Sequence, residues 1–335
     1  MDNQKELKLL HPRSIAAVVR DGYRLYMASF RSLFRSSWIV AIVYAIAFAL
    51  MMGNVVNNIV PMQATIMAFG AEAVMANPAT MPSTSMSVLF GLFFLVAVLL
   101  LAAQAISLFR EHQATDNVSR PAHWYGRLCM PSFLRLLAVA LWLLVIDIVI
   151  TVLFAGVTIG LLSLGVVGNV WKSIASLCLM GILSIVVMVL IVPLAYTVMR
   201  TLLLPRPTIA PPFNGYLRGM RHWGLLFATI FVVYIFTCLL TLVCELPAVI
   251  ITIANTEAYA GLAVGDPLGL PDNIVPLTYC VFILAGFIQA YVHLSTLFPI
   301  YYAYGSIEQQ KAERLNIEQY NGSQDATVAL KSERI

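Results

Sequence analysis

Between Trp38 and Val60 the chain reads WIVAIVYAIAFALMMGNVVNNIV, 23 residues without an Asp, Glu, Lys or Arg. A hydrocarbon layer of about 30 Å takes about 20 helical residues at about 1.5 Å each, so this stretch is long enough to cross it. Five more apolar stretches of spanning length follow, at roughly Ser87–Phe109, Leu134–Leu162, Trp171–Met199, Gly224–Ile253 and Ile274–Tyr304. Threading all six in order sorts the basic residues. Seven precede the first stretch, four lie between the second and third or at the entry to the third (Arg110, Arg120, Arg127 and Arg135), four between the fourth and fifth, and four follow the sixth. The other side receives Lys172 alone. Because Lys and Arg accumulate in cytoplasmic loops, the sequence predicts an all-α integral membrane protein of six spans with both termini cytoplasmic.

Composition agrees. Of the 335 residues 60% are apolar and 11% are charged, against about 25% charged in a soluble chain. A soluble globule is excluded. The formal net charge of +4 is spread along one membrane face, where anionic headgroups rather than nucleic acid are the natural counter-ion. The first apolar run begins after 37 mostly polar or amphipathic residues, too late for a cleavable signal, so span one is expected in the mature chain.

The five Cys form no C-x-x-C pair and are odd in number, which gives neither a disulfide framework nor a zinc site. Cys178, Cys244 and Cys280 lie near the external span ends; one bridge among them is open, and small apolar fillers are the simpler reading. His11, His112, His123 and His222 are scattered over the cytoplasmic side. No H-E-x-x-H, Walker loop, dinucleotide fingerprint or G-x-S-x-G elbow occurs, so no catalytic residue, metal or cofactor is expected.

An internal pattern accompanies the spans. Met27, Phe30, Leu33 and Phe34 precede span one; Met130, Phe133, Leu136 and Leu137 enter span three; Met220, Trp223, Leu226 and Phe227 enter span five. Gly22-Tyr23 and Gly215-Tyr216 sit at matching places, and spans four and six close with Pro193-Leu194-Ala195-Tyr196 and Pro299-Ile300-Tyr301-Tyr302. These matches predict three tandem hairpins, about 14–109, 121–199 and 211–304, each preceded by an amphipathic interfacial helix. The domains expected are a cytoplasmic N-terminus over 1–37, a six-helix membrane domain over 38–304 and a polar tail over 305–335.

At 100° per residue Arg20, Arg24, Arg31 and Arg35 fall within about 60° of one another, beside a face of rings and aliphatics. Such a helix is expected to lie in the headgroup plane, with its guanidiniums on lipid phosphate or serving as a topological anchor. Ala41, Ala45, Ala49 and Gly53 on span one, and Gly156 and Gly160 on span three, form small-residue stripes suited to close helix contact. Tyr301, Tyr302 and Tyr304 read as an interfacial aromatic belt.

Polar groups at membrane depth are the places to seek function. Asp147 lies roughly 18 Å into span three at about 1.5 Å per residue from Arg135, where an unpartnered carboxylate costs several kcal/mol. Gln289 and His293, four residues apart on span six, share a helix face at comparable depth. The three are expected either to glue spans three and six together or to line a ligand or proton path. Glu245, just before Pro247, is expected to reach external water.

With its repeated Gly-Tyr, Phe/Trp-x-x-Leu-Phe and Pro-Leu/Ile-x-Tyr motifs, the chain resembles the YciC-like bacterial inner-membrane proteins. It is similar also to the membrane domain attached to some glycerophosphodiester phosphodiesterases. The resemblance implies a six-helix protein of the bacterial inner membrane and supplies no catalytic residues. The expected role is a non-enzymatic component that contacts anionic lipid or a membrane or cytoplasmic protein. A transporter or channel using Asp147, Gln289 and His293 is the alternative, and a membrane-embedded enzyme the second. The predicted orientation is tested by cysteine substitution at Arg120 or Arg206 in a cysteine-free background. An impermeant maleimide should leave both unlabelled in intact cells, and labelling at either position inverts the topology.

Overall fold

The computed structural model describes residues 9–69, 84–115, 129–163, 170–203, 213, 215–263, 265 and 273–332. The order of elements is α1 (Ile15–Asn54), a π-helical turn (Val55–Ile59), α2 (Val60–Phe69), α3 (Thr84–Thr115), α4 (Cys129–Ser163) and α5 (Val170–Ile191). It continues with α6 (Leu194–Leu203), α7 (Tyr216–Arg221), α8 (Trp223–Ala263) and α9 (Ile274–Ser332). No strand occurs among the described residues. Among the described residues six segments are long and apolar enough to cross a membrane: Ile15–Gln63, Ser85–Ala114, Phe133–Gly160, Ser176–Leu203, Trp223–Gly261 and Ile274–Ile317. Each overlaps one of the six stretches expected from sequence. The protein is a multi-pass helical membrane protein.

The helices overrun the expected spans. Ser14 caps α1, its hydroxyl accepting from the Ala17 amide, and no proline interrupts the next 40 residues. They form one rod about 60 Å long, well beyond a hydrocarbon core of about 30 Å. There is thus no break near Trp38 between an interfacial helix and a span. α9 likewise runs 59 residues through Pro299 and past residue 304. The expected borders at 37/38 and 304/305 are therefore not structural boundaries. α4 also enters its span without interruption from Cys129. Only the third amphipathic segment stands apart, as α7, ended by His222 at φ −109°, ψ 26°.

α1 and α9 lie antiparallel and touch along most of α1. From the basic end outward, the Arg13 amide donates to Ser306 Oγ (3.0 Å), the Tyr26 hydroxyl to the Tyr291 carbonyl (3.0 Å), and Tyr44 Oη lies 3.2 Å from His293 Nδ1. Ala41, Ala45, Ala49 and Gly53 are all buried, as the stripe predicts. A Cβ on Gly22 would stand 2.6 Å from Pro299 Cα, and one on Gly286 would stand 2.8 Å from the Phe48 ring. Small residues buy this approach by removing side-chain bulk from the contact. The buried serines cost little, because Ser29 and Ser37 donate to the Leu25 and Leu33 carbonyls of their own helix at 2.8 and 2.7 Å.

The basic end is the densest region. Val18, Leu25 and Leu33 of α1 meet Phe109 of α3, Met199 of α6 and Phe298 of α9 in one apolar cluster. Tyr301, Tyr302 and Tyr304 are buried within it, not arrayed as a belt. Their rings find partners inside the protein: Tyr301 stacks on Phe109 at 4.4 Å, and its hydroxyl lies 3.0 Å from His112 Nδ1. By contrast α4, α5 and α8 turn Leu, Ile and Val outward along much of their length, which lipid covers in a membrane. Gly156 and Gly160 belong to that exposed face, and a Cβ on either would meet nothing within 4 Å. Among the described residues no helix side packs closely enough on them to exclude a Cβ.

Gly22→Ala should destabilise the protein by about 1–3 kcal/mol, because its Cβ meets backbone that cannot rotate away. Gly156→Ala should be neutral or stabilising by up to about 1 kcal/mol, through helix propensity. Thermal unfolding of both variants in detergent distinguishes the two outcomes.

Candidate functional site: a polar chamber between α1, α8 and α9

The three polar residues singled out from sequence do not assemble. Asp147 is exposed on α4, and it makes no hydrogen bond or ion pair with any described residue. Its neighbours Ile146 and Ile150 face an apolar hollow of about 410 Å³ shared with α5 and Tyr216, while Asp147 itself lies outside that lining. His293 is exposed apart from its contact with the Tyr44 hydroxyl. Gln289 is buried, at 7% exposure. Gln289 and His293 remain neighbours on α9 through their spacing of four residues, but only Gln289 faces a cavity.

That cavity, of about 340 Å³, lies between α1, the π-helical turn, α8 and α9. Phe48 and Met52 of α1, Val56 of the π turn, and Ala248 and Phe282 of α8 and α9 give it apolar walls. Glu245 and Gln289 supply polar atoms, and Thr252 lines it with a hydroxyl that donates to the Ala248 carbonyl at 2.8 Å. Glu245 therefore faces the chamber, half-buried, rather than simply reaching external water. It is the single charged residue between Trp223 and Asn255, which is the signal by which sequence marks it. It also lies within electrostatic reach of Tyr44.

Gln289 Oε1 is buried without a hydrogen-bond partner among the described residues. An oxygen in that state costs about 1–3 kcal/mol. Most buried polar groups avoid the cost, and the other span residues here illustrate how: Thr278 donates to the Ile274 carbonyl and Asn255 to the Ile251 carbonyl, each at 2.8 Å. The π turn contributes Val55 and Val56 to the lining, so the wall is built where α1 departs from regular helix. Departures of this kind concentrate at functional sites. Asn54, just before the turn, is buried and bridges Ser87 of α3 (2.9 Å) and Asn58 (2.8 Å), fixing the turn in place.

The basic end carries a second polar assembly. Arg13 and Asp21 are both buried and paired at 2.9 Å, and the Arg13 guanidinium lies 4.6 Å over the Tyr302 ring. Tyr196 of α6 donates to Glu308 of α9 at 2.5 Å and accepts from Arg218 of α7 at 3.1 Å. His222 sits beside Arg314, Arg221 and Arg218; burial first, then these charges, push its imidazole below the usual range. These groups consume one another's charge and tie α1, α6, α7 and α9 together. The four arginines expected at the headgroups divide: Arg20, Arg31 and Arg35 are exposed, while Arg24 is half-buried. Arg20 also reaches Asp21 at 3.2 Å.

Among the described residues, no three His, Cys, Asp or Glu gather as a metal-ion site. No family model matches the chain, and comparison with curated proteins and with solved structures finds no match. Asp21→Ala should lower the unfolding free energy by about 3–5 kcal/mol, because it strands the Arg13 charge in the interior. Asp147→Asn should cause no loss of stability, since it breaks no contact. Denaturant unfolding of the detergent-solubilised variants reads both.

Proposed function

We propose that the chain is a non-enzymatic multi-pass component of the bacterial inner membrane that works by contact with anionic lipid at its basic end. The observation that carries this reading is the outer face of α1. Exposed Arg20, Arg31 and Arg35 alternate there with exposed Met27, Phe34 and Trp38, while Val18, Leu25 and Leu33 on the opposite face are spent against protein. Guanidiniums beside rings and aliphatics suit the phosphate and acyl layers of a leaflet respectively. The positive-inside pattern puts this end, with both termini, in the cytoplasm. A membrane or cytoplasmic protein with an acidic surface is the other partner that such a face fits.

The three-hairpin plan and the resemblance to the YciC-like proteins belong to the same proposal. Two contacts support the plan: Gly22 of α1 lies against Pro299, and Gly219 of α7 against Pro193. In each, a helix entering an odd span meets the proline that closes an even one. The register is not identical, since Gly219 stands one turn beyond Gly215, the residue that matches Gly22. Gly215 instead takes φ +91° at the start of α7.

The test is lipid retention. Native mass spectrometry of protein extracted with phosphatidylglycerol and cardiolipin should show fewer retained anionic lipids for the double variant Arg31→Gln/Arg35→Gln than for wild type. Equal retention overturns the lipid reading in favour of a protein partner.

A further inference from the structure

We infer that the chamber between α1, α8 and α9 binds an amphiphile with a primary ammonium head and an apolar chain, which enters sideways from the lipid. The site is separate from the arginine face at the basic end, and either assignment stands if the other falls. Gln289 is 93% buried (7% exposed) and lines the chamber, yet its Oε1 accepts no hydrogen bond among the described residues. Of the buried side-chain atoms left without a partner among the described residues, it is the one whose residue lines this chamber, where a ligand's donor can answer it. The second oxygen group on the lining is the Glu245 carboxyl, which has no hydrogen bond or ion pair to a described residue. The Thr252 hydroxyl is already engaged with its own helix.

Two acceptor residues, one of them an acid, line a single apolar volume, and a turn of the buried Gln289 amide toward it brings both oxygens onto one donor head. An ammonium brings a positive charge and three N–H donors, enough for both oxygens at once. A carboxylate or phosphate head meets Glu245 with like charge. The walls of Phe48, Met52, Val56 and Phe282 suit an alkyl chain, and about 340 Å³ falls at the lower end of small-molecule sites. Val249 and Ile253 line the same volume and are 41% and 55% exposed on the lipid-facing side of α8, so the opening is lateral.

The experiment is thermal unfolding of the full chain in detergent with added dodecylamine, dodecanol or dodecanoate, each at matched micelle composition. Dodecylamine should raise Tm saturably, with dodecanol and dodecanoate weaker by at least tenfold in apparent affinity. Glu245→Gln and Gln289→Leu should each weaken the dodecylamine response at least tenfold. Without ligand, Gln289→Leu should melt no lower than wild type, because the residue it removes has no partner to lose. Phosphatidylethanolamine added in place of dodecylamine tells whether the source is a lipid headgroup or a free alkylamine, and a saturable response to either carries the assignment. A response that survives both substitutions, an equal response to dodecanol or dodecanoate, or a lowered Tm for ligand-free Gln289→Leu overturns it.

Discussion

Everything in this protein hangs on the contact between two long helices, α1 and α9, whose backbones approach closely because small residues face the seam. Gly22 against Pro299 and Gly286 against Phe48 leave no room for a Cβ, and Ala41, Ala45 and Ala49 fill the interval. In lipid there is little hydrophobic gain in bringing two apolar helices together, so close van der Waals contact and interhelical hydrogen bonds must supply the affinity. The hydrogen bonds from Arg13 to Ser306 and from Tyr26 to Tyr291 occur along the same line. α3 and α6 then complete the core at the basic end, and α8 leans against the outer half of the pair and closes the chamber.

The spans and the small-residue stripe on span one were legible because hydropathy and four-residue spacing are local properties. What faced what was not. The amphipathic reading of residues 15–37 put its rings and aliphatics, Met27, Phe30, Leu33 and Phe34 among them, on a face sunk in lipid. The structure buries Leu33 with Val18, Asp21, Gly22, Leu25 and Ser29 inside the protein, sets Tyr26 and Phe30 against Tyr291 of α9, and leaves Met27 and Phe34 exposed. A hydropathy pattern cannot separate a face sunk in lipid from one buried in protein, and here the smaller, more polar face is the protein-facing one, as close helix contact demands. Tyr301 and Tyr302 misled for a related reason: aromatic residues near a span end suit an interface, but stacking on Phe109 and lying beneath Arg13 suit them to a core.

The candidate site was half legible. Gln289 stood out as an amide within an apolar span, and the structure gives it a chamber. Asp147 stood out by the same rule, yet it is on the exposed side of α4. Depth can be counted along a helix, but azimuth relative to unseen neighbours cannot. The place of Glu245 just before Pro247 says nothing of the cavity formed where α1 passes into its π turn, which the residue lines half-buried. The buried polar groups sort by how they are satisfied. Ser29, Ser37 and Thr252 close onto their own helix, Arg13 and Asp21 close onto each other, and Gln289 alone of the chamber's residues keeps a wholly buried side-chain oxygen unanswered.

α9 is a single continuous element from the chamber wall to the polar end of the chain. From Gln289 to Ile317 it extends about 42 Å at about 1.5 Å per residue. Over that length a tilt of about 5° at the membrane-embedded section is a sweep of roughly 4 Å at the far section, by the geometry of the same rise. A tilt of α9 at the chamber would by that lever displace groups well outside the bilayer, with Pro299 the point at which the shaft lacks a backbone hydrogen bond.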